Sequence, residues 1–211
     1  MSRNLRLLVI ALAALLGAFL LVVVAFGIDR AVHSGDVLRN VVVEETDLSG
    51  MNSDEALAAL QAFEDELVTT PARFQLNGST ITLDPATVGF SLDEAAATEA
   101  AMKVGRSGSI FKQFGWWWTH LFTDEVLELP VSLDDAAFSK VAGDWSTEHI
   151  SDPPFDGAIV IEGAAAVAEY PRAGRRVDID SAAVVVLETL AVRDREVGAL
   201  EIESASPALT R

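Results

Sequence analysis

The 211 residues carry 32 Asp and Glu against 15 Lys and Arg, a formal net charge of −17, which argues against nucleic acid and against anionic lipid surfaces as partners. There is no cysteine, so disulfides, thiolate metal sites and cysteine nucleophiles are excluded.

The run from Leu7 to Ile28 holds 22 residues without one charged side chain. A hydrocarbon core of ~30 Å needs about 20 apolar residues in a helix, and a helix satisfies its own backbone in lipid. Arg3 and Arg6 precede the run, while Asp29 and Arg30 nearly cancel after it. The positive-inside bias puts the N-terminus in the cytoplasm and the rest outside, a single-pass anchor in the cell membrane. Ala25-Phe26-Gly27 would serve as a signal-peptidase site, but the run is longer than the ~7–15 residues of a signal peptide.

Ala31–Asn40 reads as a polar linker and Val41–Glu45 as the first strand. Asn52, with Glu55 three residues on, forms a capping box before a helix over Ser53–Leu67. Ala72–Leu76 and Thr80–Leu83 make a hairpin around Asn77-Gly78-Ser79. Asp93 caps a helix from Glu94 to about Val104, and Gly105–Ser109 breaks it. Ile110–Phe122 is crowded with aromatics. Val126–Val131 is a strand ending at Pro130, and a helix opens at Asp134 or Asp135 and runs to about Gly143. A second hairpin pairs Ala158–Ile161 with Ala166–Tyr170 around Glu162-Gly163. Asp178 leads into a helix from Ser181 to about Arg193, Ala199–Glu203 is a last strand, and Pro207–Arg211 trails off.

These elements recur. Gly89 and Gly174 lie 85 residues apart, as do Asp93 and Asp178. The expected fold is α+β, a transmembrane helix followed by two similar βαββα modules. The expected divisions are 1–30 for tip and anchor, 31–40 for the linker, 41–125 for the first module with its aromatic connector, and 126–211 for the second.

Signs of catalysis are sparse. His33, His120 and His149 have no metal-ligand spacing. Ser109-Ile110-Phe111-Lys112 matches S-x-x-K without its companion motifs. Asp178-Ile179-Asp180 is too short for a calcium loop, and capping explains Asp178. Asp134-Asp135 and Glu44-Glu45 read as solvated acids. No catalytic residue, metal ligand or cofactor is expected. Trp116-Trp117-Trp118 is the unusual feature, because successive helical residues differ by about 100° and three indoles cannot share one core. One at least should be exposed, as a platform for sugar rings, as an aromatic belt at the membrane, or packed between modules.

The stretch Asp47-Leu48-Ser49-Gly50-Met51-Asn52-Ser53-Asp54-Glu55-Ala56 resembles the opening of the peptidoglycan-binding repeat of VanW-type proteins. Gly105-Arg106-Ser107-Gly108-Ser109 resembles that repeat's GR-x-GS segment. Pro171–Asp178 is similar to its P-x-x-G-x-x-(V/L)-D segment, and Pro207–Thr210 to its join with a following domain. The resemblance implies a non-catalytic extracytoplasmic module whose partner is peptidoglycan. Such repeats precede a VanW or an L,D-transpeptidase domain; the transpeptidases use a cysteine, which this sequence lacks. The expected contacts are Trp116, Trp117 and Trp118 for sugar faces and Arg106 for a stem-peptide carboxylate. The competing expectation is a spacer or protein-interaction module from a larger wall protein.

Overall fold

The computed structural model describes residues 3–162 and 165–207. The fold is mixed α+β, with six α-helices and several two- and three-stranded sheets among the described residues. The apolar run lies inside α1 (Arg3–Val32), which is long and apolar enough to cross a membrane. The chain divides into two compact units, each discontinuous in sequence: Met1–Leu60, which includes α1, with Ala95–Glu128, and Gln61–Glu94 with Leu129–Arg211.

In the first unit, β1 (Val41–Val43) turns at Glu44, whose φ of 48° is left-handed, onto β2 (Thr46–Asp47). β1 also pairs in parallel with β6 (Glu125–Leu127), Val42 facing Val126. The stretch leaving α1 is ordered: Val37 and Leu38 are buried, and Val37 N–H donates to the Met51 carbonyl at 2.7 Å. Asn52 accepts from the Asp54 and Glu55 amides at 3.0 Å, and Glu55 accepts in return from the Asn52 amide at 3.0 Å. That is the expected capping box, and it starts α2 (Ser53–Thr69). The unit closes with α3 (Glu94–Lys103) and α4 (Ile110–Thr119), over a core that includes Val41, Val43, Leu48, Leu60 and Ala101.

In the second unit, β3 (Ala72–Leu76) and β4 (Ser79–Leu83) form the expected hairpin, with positive φ at Asn77 and Gly78. A 3-10 turn over Pro85–Val88 follows, capped by Asp84, and leads to β5 (Ser91–Leu92). The strand expected over Val126–Val131 is two strands, because Pro130 cannot donate to a ladder. β6 ends at Leu127, and β7 (Val131–Ser132) pairs with β5. α5 (Asp135–His149) outruns its expected end at Gly143, because Trp145 and Ser146 continue its buried face. β8 (Ala158–Glu162) and β9 (Ala165–Glu169) form the second hairpin. Gly163 of its expected turn, and the tail from 208, lie outside the described residues. An unexpected strand, β10 (Gly174–Val177), precedes the last helix, and α6 (Ile179–Leu190) starts two residues early, capped by Asp178. The single last strand is β11 (Gly198–Ala199), parallel to β3, and β12 (Ile202–Ala205), antiparallel to β10. Phe63, Phe74, Leu76, Val177, Val186 and Leu190 fill the core.

Gly174 has a steric reason. A Cβ there would lie 2.4 Å from the Asp152 carbonyl oxygen and 2.5 Å from backbone atoms of Pro153 and Pro154. Backbone cannot swing aside as a side chain can. Gly174→Ala is expected to destabilise the second unit by about 1–3 kcal/mol, read as a lower urea midpoint with amide exchange of α5 and β10 as the probe.

Candidate functional site

The aromatic segment and Arg106 come together in the first unit. Gly105 has a φ of 62°, and a Cβ on it would lie 2.4 Å from the Trp116 ring. Glycine therefore ends α3 and lets Trp116 close over the turn. The next residue, Arg106, directs its guanidinium at three backbone carbonyls, those of Met102, His33 and Asp36. It ties the end of α3 to the segment that leaves α1. Burial first, then the neighbouring Arg30 charge, holds this guanidinium below its ordinary value. Gly108 also has positive φ, and Ser109 caps α4, its hydroxyl accepting from the Lys112 amide at 3.5 Å. Each residue of the Gly105–Ser109 motif except Ser107 thus has a local structural task, and the Ser109 hydroxyl faces a helix amide rather than an activating amine.

The three indoles part company, as helix geometry requires. Trp117 is 6% exposed and meets Phe26 edge-on at 5.5 Å, with the Arg39 guanidinium 5.2 Å from its ring centre. Trp116 stacks on His120 at 4.6 Å and donates from Nε1 to Glu125 at 3.1 Å. Trp118 is 54% exposed. The corner therefore offers one open indole face, and Arg106 is engaged in holding backbone.

A second candidate lies in the second unit, and sequence reading missed it. A groove of about 220 Å³ is lined by residues that include Ser146, Thr147, Pro153, Pro154 and Arg176. Its shape follows from packing already described. Gly174 draws the Asp152–Pro154 loop against β10, and the Arg175 guanidinium grips Asp152 through Nε at 2.9 Å and Nη2 at 2.6 Å. That pairing holds the Asp152 carboxyl below its ordinary value. Ser146 accepts from the Val177 amide at 2.9 Å and fixes the floor. Arg176 pairs through Nε with Glu203 at 2.7 Å, so its terminal nitrogens are not engaged in that contact. A larger recess of the same unit, about 300 Å³, carries Glu188, Asp194 and Glu196 on its walls and would repel an anion.

The other candidates fall to ordinary structural duties. Asp134 and Asp178 cap α5 and α6, accepting at 2.7 Å and 3.1 Å. No group of three or more His, Cys, Asp or Glu among the described residues could hold a metal ion.

A family model described as "Putative peptidoglycan binding domain" matches residues 81–196. The chain belongs to this family. No curated protein matches it, and no solved structure does. The family's name describes binding rather than a reaction. The span matched to the peptidoglycan-binding family contains Arg106, all three adjacent tryptophans and every groove residue named above.

Among the described residues, one carboxyl has the raised pKa that often marks catalysis. Glu64 is shifted up by burial, then by a hydrogen bond with Glu94, against the opposing pull of the Leu92 amide 2.9 Å away. It lies outside the matched span, and its bond to Leu92 ties α2 to β5. A carboxyl with a raised folded pKa makes the folded state bind more protons. Stability is therefore highest below the unfolded value and falls as pH rises through the folded one. Thermal unfolding should show the melting temperature dropping as pH rises above the ordinary glutamate range, and Glu64→Gln should flatten that drop.

Proposed function

We propose that this protein is a membrane-anchored, non-catalytic peptidoglycan-binding module of VanW type. The family assignment over residues 81–196 carries the reading. On it, α1 is the anchor with its N-terminus in the cytoplasm, and the remainder, two related modules over 41–125 and 126–211, stands outside at the wall. The net charge of −17 fits this, since an acidic protein does not adhere to an anionic polymer without a shaped site.

Direct contact is proposed at the groove of the second unit. Its prolines are rigid, the Thr147 hydroxyl, whose proton goes to the Gly143 carbonyl, can accept from an amide or sugar, and Arg176 suits the carboxylate of a stem peptide. Trp116, Trp117 and Arg106 are proposed to contribute as the frame that holds the first unit, and Trp118 as its exposed edge. A spacer or protein-interaction role is the second reading. The observation that favours it is the β8–β9 hairpin, which leaves Ile159 and Ile161 exposed, with Tyr170 exposed just after β9.

Co-sedimentation of the detergent-solubilised full chain with insoluble peptidoglycan tests the proposal. Pelleting should survive high salt, fall roughly tenfold in affinity with Arg176→Ala, as loss of one charge-assisted hydrogen bond implies, and be unchanged by Ile161→Asp. A folded protein that stays in the supernatant would favour the interaction reading instead.

A further inference from the structure

Helix α4 leaves apolar surface where water would be a poor neighbour. Phe111 is 84% exposed and, just past the helix, Phe122 is 93% exposed. On a helical wheel of 100° per residue, Ile110, Phe111, Phe114 and Trp118 share one side, while Lys112, Trp116 and Thr119 face the other. The apolar side is continuous with α1. Phe114 meets Phe26 at 5.4 Å, and a wholly apolar recess of about 170 Å³ is lined by Phe19, Val23 and Phe26 of α1 with Ile110, Phe111 and Phe114.

Depth along α1 fixes what covers this side. The 19 steps from Leu7 to Phe26 rise about 28 Å, close to a full hydrocarbon core, and Phe19 lies about 10 Å short of Phe26. With α1 across the bilayer, the residues of α4 that touch Phe26 and flank the recess down to Phe19 fall at acyl-chain depth. The charge pattern agrees. In a chain with 32 acidic residues, none lies between Ala100 and Thr123, a stretch that carries Lys103, Arg106 and Lys112. No carboxylate must therefore be desolvated, or held against lipid phosphates, for α4 to enter. The backbone needs are met as well, because Ser109 caps the helix start and the His120 amide donates to the Trp116 carbonyl at its end.

We propose that α4 is an interfacial helix seated in the outer leaflet of the bilayer, with Phe111, Trp118 and Ile110 among the acyl chains and an acyl chain in the recess beside α1. The covering partner is lipid, so Trp118 serves the membrane rather than the wall. The seating rests on the reading of α1 as an anchor with α4 on the outer side. It makes the first unit a foot planted beside its own anchor.

The absence of cysteine allows a clean test in the full chain. Single variants Leu16→Cys, Phe111→Cys, Lys112→Cys, Trp118→Cys and Ile161→Cys would be spin-labelled, reconstituted into phosphatidylcholine–phosphatidylglycerol vesicles, and probed with oxygen and a water-soluble nickel chelate. Labels at 16, 111 and 118 should collide mainly with oxygen, and labels at 112 and 161 mainly with nickel. If 16 is lipid-shielded while 111 and 118 match 161, the seating is overturned and the anchor stands. If 16 is nickel-accessible too, the anchor fails and the seating fails with it. Proteolysis of each labelled variant against the unsubstituted chain confirms the fold, and Phe111, already exposed, is a position where labelling disturbs no core.

Discussion

The Arg106 guanidinium, directed at the carbonyls of Met102, His33 and Asp36, is the constraint on which the first unit depends. Those carbonyls come from the end of α3 and from the chain leaving α1, two places with no backbone ladder between them. A lysine would bring one ammonium to a site shaped for a fork. With the clamp in place, the left-handed turn at Gly105 lets Trp116 fold over it, and α4 is delivered against Phe26. Val37 and Leu38, which would otherwise be a loose exit from α1, become core.

On the proposed reading, the labour of the molecule is divided. The apolar and cationic end, around α1 and α4, has the chemistry of a membrane seat. The second unit has a groove with a threonine hydroxyl, prolines and an arginine, and the span matched to the peptidoglycan-binding family covers it as well as α4. A wall ligand carries sugars, amides and carboxylates, and it suits the second surface. An acyl chain suits the first. The acidic charge elsewhere limits indiscriminate adhesion to either.

Local signals were the legible part of the sequence. The capping box at Asn52 and Glu55, the Asn77-Gly78 hairpin and the Asp178 cap all act within a few residues, and each formed as its chemistry implies. Long-range pairing was illegible. The parallel partnership of β3 with β11 and the antiparallel one of β10 with β12 depend on chain closure over many residues, and short strands such as Gly198–Ala199 have no period to detect. The candidate contacts show the same split. That three adjacent indoles must diverge followed from the helix angle. That Arg106 would be turned inward onto carbonyls did not, because two of the three, those of His33 and Asp36, lie 73 and 70 residues away in the chain. The groove was missed because its walls come from α5, the Asp152–Pro154 loop and β10, which carry no shared motif.

Titration of a soluble disaccharide-peptide from the wall into isotope-labelled full-length protein in lipid nanodiscs, followed by amide chemical shifts, would locate the contact directly. The account predicts perturbations at residues 142–147, 153–154 and 174–179, with the amides of 105–122 unmoved. Perturbations confined to 105–122, or none at a saturating ligand concentration, would contradict it.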